Sequence, residues 1–166
     1  MPSAKAPLPA LRPTDSGARL PHAEEIDERD ASAVAVEWAR LAYGYDTVYD
    51  THPHAGVLRA SRYLTAEQRS AEREYTPASA AGAQWNTWSS HEAWTTAHAG
   101  LADPDEDAPA DTAVLAYRTV SVEGTAHGRD GWRGPGPRLH AGLTLTRGDA
   151  SSPWRISQVI VDQATD

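Results

Sequence analysis

Cysteine and phenylalanine are both missing from this chain of 166 residues. Without cysteine there is no disulfide framework, no thiolate zinc site and no cysteine nucleophile. Long apolar runs are missing too. No window approaches the roughly 18 consecutive apolar residues of a membrane-spanning helix, and the N-terminus lacks the apolar stretch of a signal peptide. As written, the chain is expected to be soluble and unexported, with no direct membrane insertion. Lysine is scarce: Lys5 is the sole one, while arginine is common, and the formal net charge is −8. Such a surface does not displace counterions from a phosphate backbone, so nucleic acid is not an expected partner. Six tryptophans and six tyrosines carry the aromatic volume instead. Each brings a polar atom that needs a partner when buried, so the core should be slightly wet at its edges.

What is present is organised around one amphipathic stretch, Asp30 to about Thr47. Val34, Trp38, Leu41 and Tyr45 follow one another at steps of four, three and four, which is one face of an α-helix. Asp30 and Ser32 are both suitable N-caps. Met1 to Arg29 is rich in proline and alanine and then acidic, with little apolar side chain to offset ordering entropy. Residues 1–29 are therefore expected to form a disordered tail, and residues 30–163 the domain. After a loop at Tyr49–His54, a short helix is expected over Ala55–Leu64. Thr65-Ala-Glu-Gln68 reads as a capping box opening a third, surface helix that ends near Tyr75. Ala78–Ala83 reads as helix or loop.

From His91 the period changes to two. Strands are expected over Glu92–Ala102, Thr112–Thr125, Arg138–Arg147 and Trp154–Asp162. On the first, Trp94, Thr96 and His98 share a face; on the second, Val120 and Val122 point in. The apolar start of the second strand (Val114 to Tyr117) implies cover on both faces or a bulge. The whole reads as an α+β fold, with three N-terminal helices packed on a curved four-stranded antiparallel sheet.

That order, with its long opening helix and Trp-led last strand, resembles the cone-shaped nuclear-transport-factor-like domains, also called cystatin-like. More narrowly, AVEWARLAYGYDT followed by RYLTAEQR is similar to a bacterial set in that superfamily. The set comprises extracytoplasmic domains of conjugation and type IV secretion channel proteins and of membrane-anchored proteins from lipid-uptake operons. The likeness spans roughly residues 32–162 and rests on hydrophobic spacing. It implies a non-enzymatic interaction or scaffold domain, an accessory component of a cell-envelope or conjugative-transfer assembly. Protein partners or self-association, and an extracytoplasmic address, are implied with it. Those relatives carry a transmembrane helix ahead of the domain and this chain shows none, which a truncated start or a soluble paralogue would explain.

Enzymes of the same cone fold, the ketosteroid isomerases and polyketide cyclases, set an Asp or His base and Tyr or Asp donors in an apolar pocket. Their counterparts by type here are Tyr45, Asp46, Tyr49, His91 and His98. The alternative function is thus an isomerase- or cyclase-like enzyme, or a protein binding a small apolar ligand. In it His98 would take a proton and Tyr45 would stabilise an enolate. A pocket with a converging His and Asp would favour that alternative. A cone filled by Trp38, Trp94 and Trp154 would favour the scaffold.

The remaining motifs are weaker. Asp50, His52 and His54 offer metal-ligand types in one loop, but Pro53 stiffens it and no fourth ligand is evident, so no metal is expected. Asp103-x-Asp105-x-Asp107 lacks the glycine and glutamate of a calcium loop, whose places hold Ala108 and Val114. No phosphate-loop signature occurs, and no cofactor is expected. In the glycine- and proline-rich loop from His127 to Arg138, Asp130-Gly131 signals a hairpin turn. There Trp132 stands among Arg129, Arg133 and Arg138. This is the composition of an interface hot spot, unless Trp132 folds back over the sheet. The acidic and arginine-rich loops should lie at opposite ends of the sheet.

Overall fold

A computed structural model describes residues 17–77 and 80–163. Its first helix starts where Asp30 accepts the amide N–H groups of Ser32 (2.9 Å) and Ala33 (3.4 Å), donors that a helix start leaves over. Helix α1 runs Ala31–Ala42. Val34, Trp38 and Leu41 are buried on one face with Ala31, Ala35, Ala39 and Ala42, and the small alanines let the helix lie close to its neighbours. The helix ends five residues short of the expected Thr47. Beyond Gly44 the backbone pairs with a strand instead: Tyr45 N–H donates to Thr95 Oγ1 (3.0 Å), its carbonyl accepts from Thr95 N–H (2.9 Å), and Asp46 bridges Trp94. Tyr45 therefore sits on the helical spacing without being helical.

Helix α2 (His54–Arg59) crosses the end of α1 at Gly56, where a Cβ would stand 2.1 Å from the Ala42 carbonyl oxygen. Only glycine fits there. A 3₁₀ turn, Ser61–Tyr63, leads to α3 (Ala66–Glu74). Thr65 caps α3 by accepting from Gln68 N–H (3.2 Å), while the Gln68 side chain turns to Glu72. No residue of α3 is buried. Helix α4 (Ala83–Ser90) buries Trp85 and Trp88, so four α-helices and a 3₁₀ turn precede the strands among the described residues. Of the expected Ala78–Ala83 connection, residues 78 and 79 lie outside the described residues.

The strands are β1 (Trp94–Leu101), β2 (Leu115–His127), β3 (Arg133–Thr146) and β4 (Arg155–Gln163), hydrogen-bonded in that order as an antiparallel meander. Thr95, Val120, Val122, Leu139, Ala141, Leu143, Leu145 and Ile156 are buried, and α1 packs against β1, β2 and β4. Strand β3 starts five residues before the expected Arg138. Pro135 is tolerated in the ladder because the register shifts between Glu123 and Thr125, and a bulge relieves the missing donor. At the start of β2, Val114 is exposed, Ala116 is buried, and half-buried Tyr117 faces a cleft that Pro104, Asp105, Ala108 and Pro109 of the acidic loop also line.

Residues 17–29 depart from the expected tail. Arg19 N–H donates to Asp46 Oδ2 (2.8 Å), Glu24 N–H to Glu37 Oε2 (2.7 Å), and Trp154 N–H to the Glu28 carbonyl (2.8 Å). The Arg40 guanidinium holds the His22 carbonyl. The segment is bound largely through backbone groups, which apolar composition does not report, with Ile26 on the core and Glu28 on Arg155 adding to them. The packed unit thus begins by Gly17, and residues 1–16 of the expected tail lie outside the described residues. Among the described residues, no helix is long and apolar enough to cross a membrane.

Candidate functional site

Between α2, α4 and the early part of β3 lies a cleft of about 450 Å³. Tyr43, Tyr45, Trp85 and Trp88 wall its inner part. The Tyr45 and Trp85 rings meet edge to face with centroids 5.2 Å apart, and Trp88 lies 5.9 Å from each. Such tilted and edge contacts suit the ring quadrupoles and hold the walls in place. Trp88 is anchored further by its Nε1–H, which donates to the Pro135 carbonyl (3.0 Å). His52 and His54 line the cleft with Tyr75, and Arg138 stands exposed on its rim.

Burial governs the polar groups of the walls. It pushes the Tyr43 hydroxyl up to about 12, with the Glu72 charge adding to it, and raises Tyr45 further still. Both stay protonated. His54 Nε2 lies 2.9 Å from the Glu72 carbonyl and is committed there. His52 Nδ1 accepts the His54 amide N–H at 3.1 Å. In a neutral imidazole the proton then sits on Nε2, and this atom is buried with no hydrogen-bond partner. Buried in this way, Nε2 presents no surface to the cleft.

The sequence-derived acid–base set does not converge. Tyr45 reaches the cleft. Asp46, which is 0% exposed, is bound by both guanidinium N–H groups of Arg129 (2.8 and 2.7 Å) and by the amides of Arg19 and Val48. His98 is exposed, on the strand face of Trp94 and Thr96, opposite Glu123 in β2. Alternation puts that face away from buried Thr95, so His98 cannot work with Tyr45. Tyr49 is exposed. His91 stacks flat on Trp132 (4.4 Å, 1°), and its Nδ1 lies 2.6 Å from Asp130 Oδ2.

The arginine-rich loop is likewise occupied. Trp132 folds back on His91 and beside Gly134, and Asp130 Oδ1 takes its amide N–H (2.9 Å). The His91 imidazole first, and that amide second, hold the Asp130 carboxyl below the usual range. Gly131 adopts φ +93°, the left-handed turn its Asp-Gly pair signals. Arg129 spans Asp46, the Glu92 carbonyl and the Gly17 carbonyl. Arg133 is exposed. Asp50, offered as a metal ligand, is paired with Arg59 and accepts the Asp46 amide. Among the described residues no cluster of three His, Asp or Glu could hold a metal ion.

Sequence reasoning missed Trp85, Trp88 and the role of His52. The available signal was the density of ring residues at 43, 45, 85 and 88; which of them meet is a tertiary fact. Fold and cleft define the class: an α+β domain in which helices precede an antiparallel meander and enclose a cleft of small-ligand size. Compared with protein-family models, curated proteins and solved structures, the chain matches none.

Proposed function

We propose that this protein is a cone-shaped, nuclear-transport-factor-like domain that binds a small, largely apolar ligand without transforming it. The observation that carries this reading is the cleft of about 450 Å³ walled by Tyr43, Tyr45, Trp85 and Trp88, within the roughly 300–1,000 Å³ of small-ligand sites. Two facts argue against catalysis. Both nearby aspartates are paired with arginines, and the cleft-lining imidazoles are tied to backbone groups, His54 Nε2 to the Glu72 carbonyl and His52 Nδ1 to the His54 amide. Neither supplies the base that proton abstraction requires. Equilibrium dialysis with naphthalene tests the reading. The native protein should retain naphthalene, and Val57→Trp, which adds bulk to the cleft lining, should retain at least tenfold less while melting normally. Equal retention by both would place any binding elsewhere.

A protein-interaction role, as an accessory of a cell-envelope or conjugative-transfer assembly, is the second reading. Beyond the family resemblance it is favoured by Ile160 and Val161, which are 59% and 39% exposed on β4. That strand pairs with β3 on one side and, among the described residues, with only Leu64 on the other. A free strand edge with exposed apolar residues suits pairing with another chain. Sedimentation of the native protein against Ile160→Lys would reveal self-association of this kind. The arginine-rich loop contributes less, since Arg129 and Trp132 are engaged internally.

A further inference from the structure

Strand β4 has one side of its backbone committed to β3 and the other open along most of its length. On the open side, Leu64 bridges Ile156, and Thr65 N–H donates to the Ile156 carbonyl (2.9 Å). Among the described residues nothing pairs with β4 there from Ser157 to its end at residue 163. Edge strands are normally guarded by charge, proline or a bulge. Here the guards stand near the two ends. Ser157 is the unpaired residue of a bulge, since Gln158 faces Thr144 and Ile156 faces Leu145, and Asp162 carries a charge. Between them lies Val159-Ile160-Val161, whose last two residues are exposed on opposite faces of the strand. A helix or loop laid over one face would cover only one of the two. A strand placed alongside covers both.

Resting on the interaction reading of this edge, we infer that its partner is β4 of a second copy, paired antiparallel about a two-fold axis at Ile160 and joining the two four-stranded sheets edge to edge. A two-fold axis normal to the sheet keeps both sets of helices on one face. Residues opposite one another must then share a face, so the axis passes through a residue and not between two. Centred on Val159, the pairing would set Ile160 against Gln158. Centred on Val161, it would set Ile160 against the Asp162 carboxylate. Centred on Asp162, two like charges would meet. At Ile160 apolar meets apolar: Ile160 faces its own copy, Val159 faces Val161, and the Gln158 amide faces the Asp162 carboxylate, which accepts from it. Ile160 is also the midpoint of the open stretch from Ser157 to residue 163, so this centre uses the whole of it. The pair is short beside the roughly 20–30 residues a side of a stable interface, and each chain carries a net charge of −8. The dimer is therefore weak, and salt strengthens it by screening that repulsion.

Because the chain has no cysteine, single cysteines report the register. Cα atoms directly opposite in an antiparallel pair lie about 4.5–5.5 Å apart, within disulfide reach, whereas diagonal neighbours at roughly 7–8 Å exceed it. Sedimentation of the native protein should show monomer passing to dimer and no further as concentration rises, and Ile160→Lys should raise the dissociation constant at least tenfold. Under mild oxidation Ile160→Cys should form a disulfide-linked dimer. Val159→Cys and Val161→Cys should each stay unlinked alone and link when mixed. Leu58→Cys, exposed on α2, reports random collision and should not link. Hydrogen exchange checks the strand without substitution: in the native protein, amides on the open side of β4 should slow as concentration rises. A monomer at every concentration and ionic strength would overturn the second copy as partner and remove self-association from the interaction reading. A dimer in which Ile160→Cys links no faster than Leu58→Cys would overturn the register alone and leave that reading standing. Species larger than a dimer would overturn the two-fold arrangement, because an open-ended contact needs a second surface.

Discussion

Asp46 and Arg129 form the most demanding pair of side chains in the molecule. The carboxylate is fully buried and the guanidinium only partly so. The aspartate also takes two backbone amides, and Arg129 lies over the Trp94 ring at 5.4 Å. The Asp46 hydrogen bonds, foremost among its neighbours, hold the Arg129 guanidinium above its ordinary value. Arg129→Ala strands a buried charge and should cost about 3–5 kcal/mol. Adding Asp46→Asn to it should recover part of that loss, as read from urea midpoints of the single and double variants. Asp111 makes a milder pair, bound by two guanidinium N–H groups of Arg118 (2.8 and 2.7 Å). That hydrogen bonding is the main cause holding its carboxyl below the usual range. A carboxyl depressed in the folded state stabilises above its unfolded value of about 3.9, and that contribution is lost as pH falls through the folded value. Asp111→Asn should therefore be less stable than the native protein near neutrality, by under about 1 kcal/mol at this exposed site. The gap should close in acid unfolding once the pH falls below the carboxyl's lowered folded value. A gap independent of pH would place the effect elsewhere.

Among the elements, the segment from Gly17 to Arg29 sets the clearest test. Its backbone groups reach Asp46, Glu37, Arg40 and Trp154, and the Trp154 indole N–H donates to the Arg29 carbonyl (3.1 Å). A chain begun at Arg29 loses five such bonds; at about 1 kcal/mol for each net hydrogen bond, it should melt roughly 10–20 °C below one begun at Gly17. Equal melting would show the segment to be a passive covering. This is also where sequence and structure part. Period and capping chemistry made α1, α3 and the four strands legible, because Val34, Trp38 and Leu41, or Val120 and Val122, carry their burial in their own side chains. The segment 17–29 was not legible, since many of its anchoring groups are amides and carbonyls common to every residue, and its side-chain anchors, Arg19 over Trp94, Ile26 on the core and Glu28 to Arg155, carry no periodic signal. The first five residues of β3 were hidden for a related reason. Gly134, Pro135 and Gly136 read as loop, and a bulge made them strand. At the cleft, Tyr45 was anticipated as a site residue and His98 with it. Alternation along β1 had already placed His98 with Trp94, but which face the helices would cover was a matter of packing.

For the molecule as a whole, the meander keeps neighbours in sequence neighbours in space, and all three strand pairings are hairpins. The acidic loop and the Asp130-Gly131 turn close successive hairpins and so lie at opposite ends of the sheet. The N-terminal segment breaks this local pattern. Arg129 donates to the Gly17 carbonyl (2.6 Å), and the amide of Trp154 donates to the Glu28 carbonyl (2.8 Å). On a ribosome, these contacts reverse the order of manufacture. The segment meets Glu37, Arg40 and Asp46 soon after it leaves the exit tunnel, but Arg129 and Trp154 follow only with the later hairpins. Its docking is completed late, and a protease present during synthesis would find its two ends less shielded then than afterwards. Residues made before the first helix are fastened by residues made with the last hairpins.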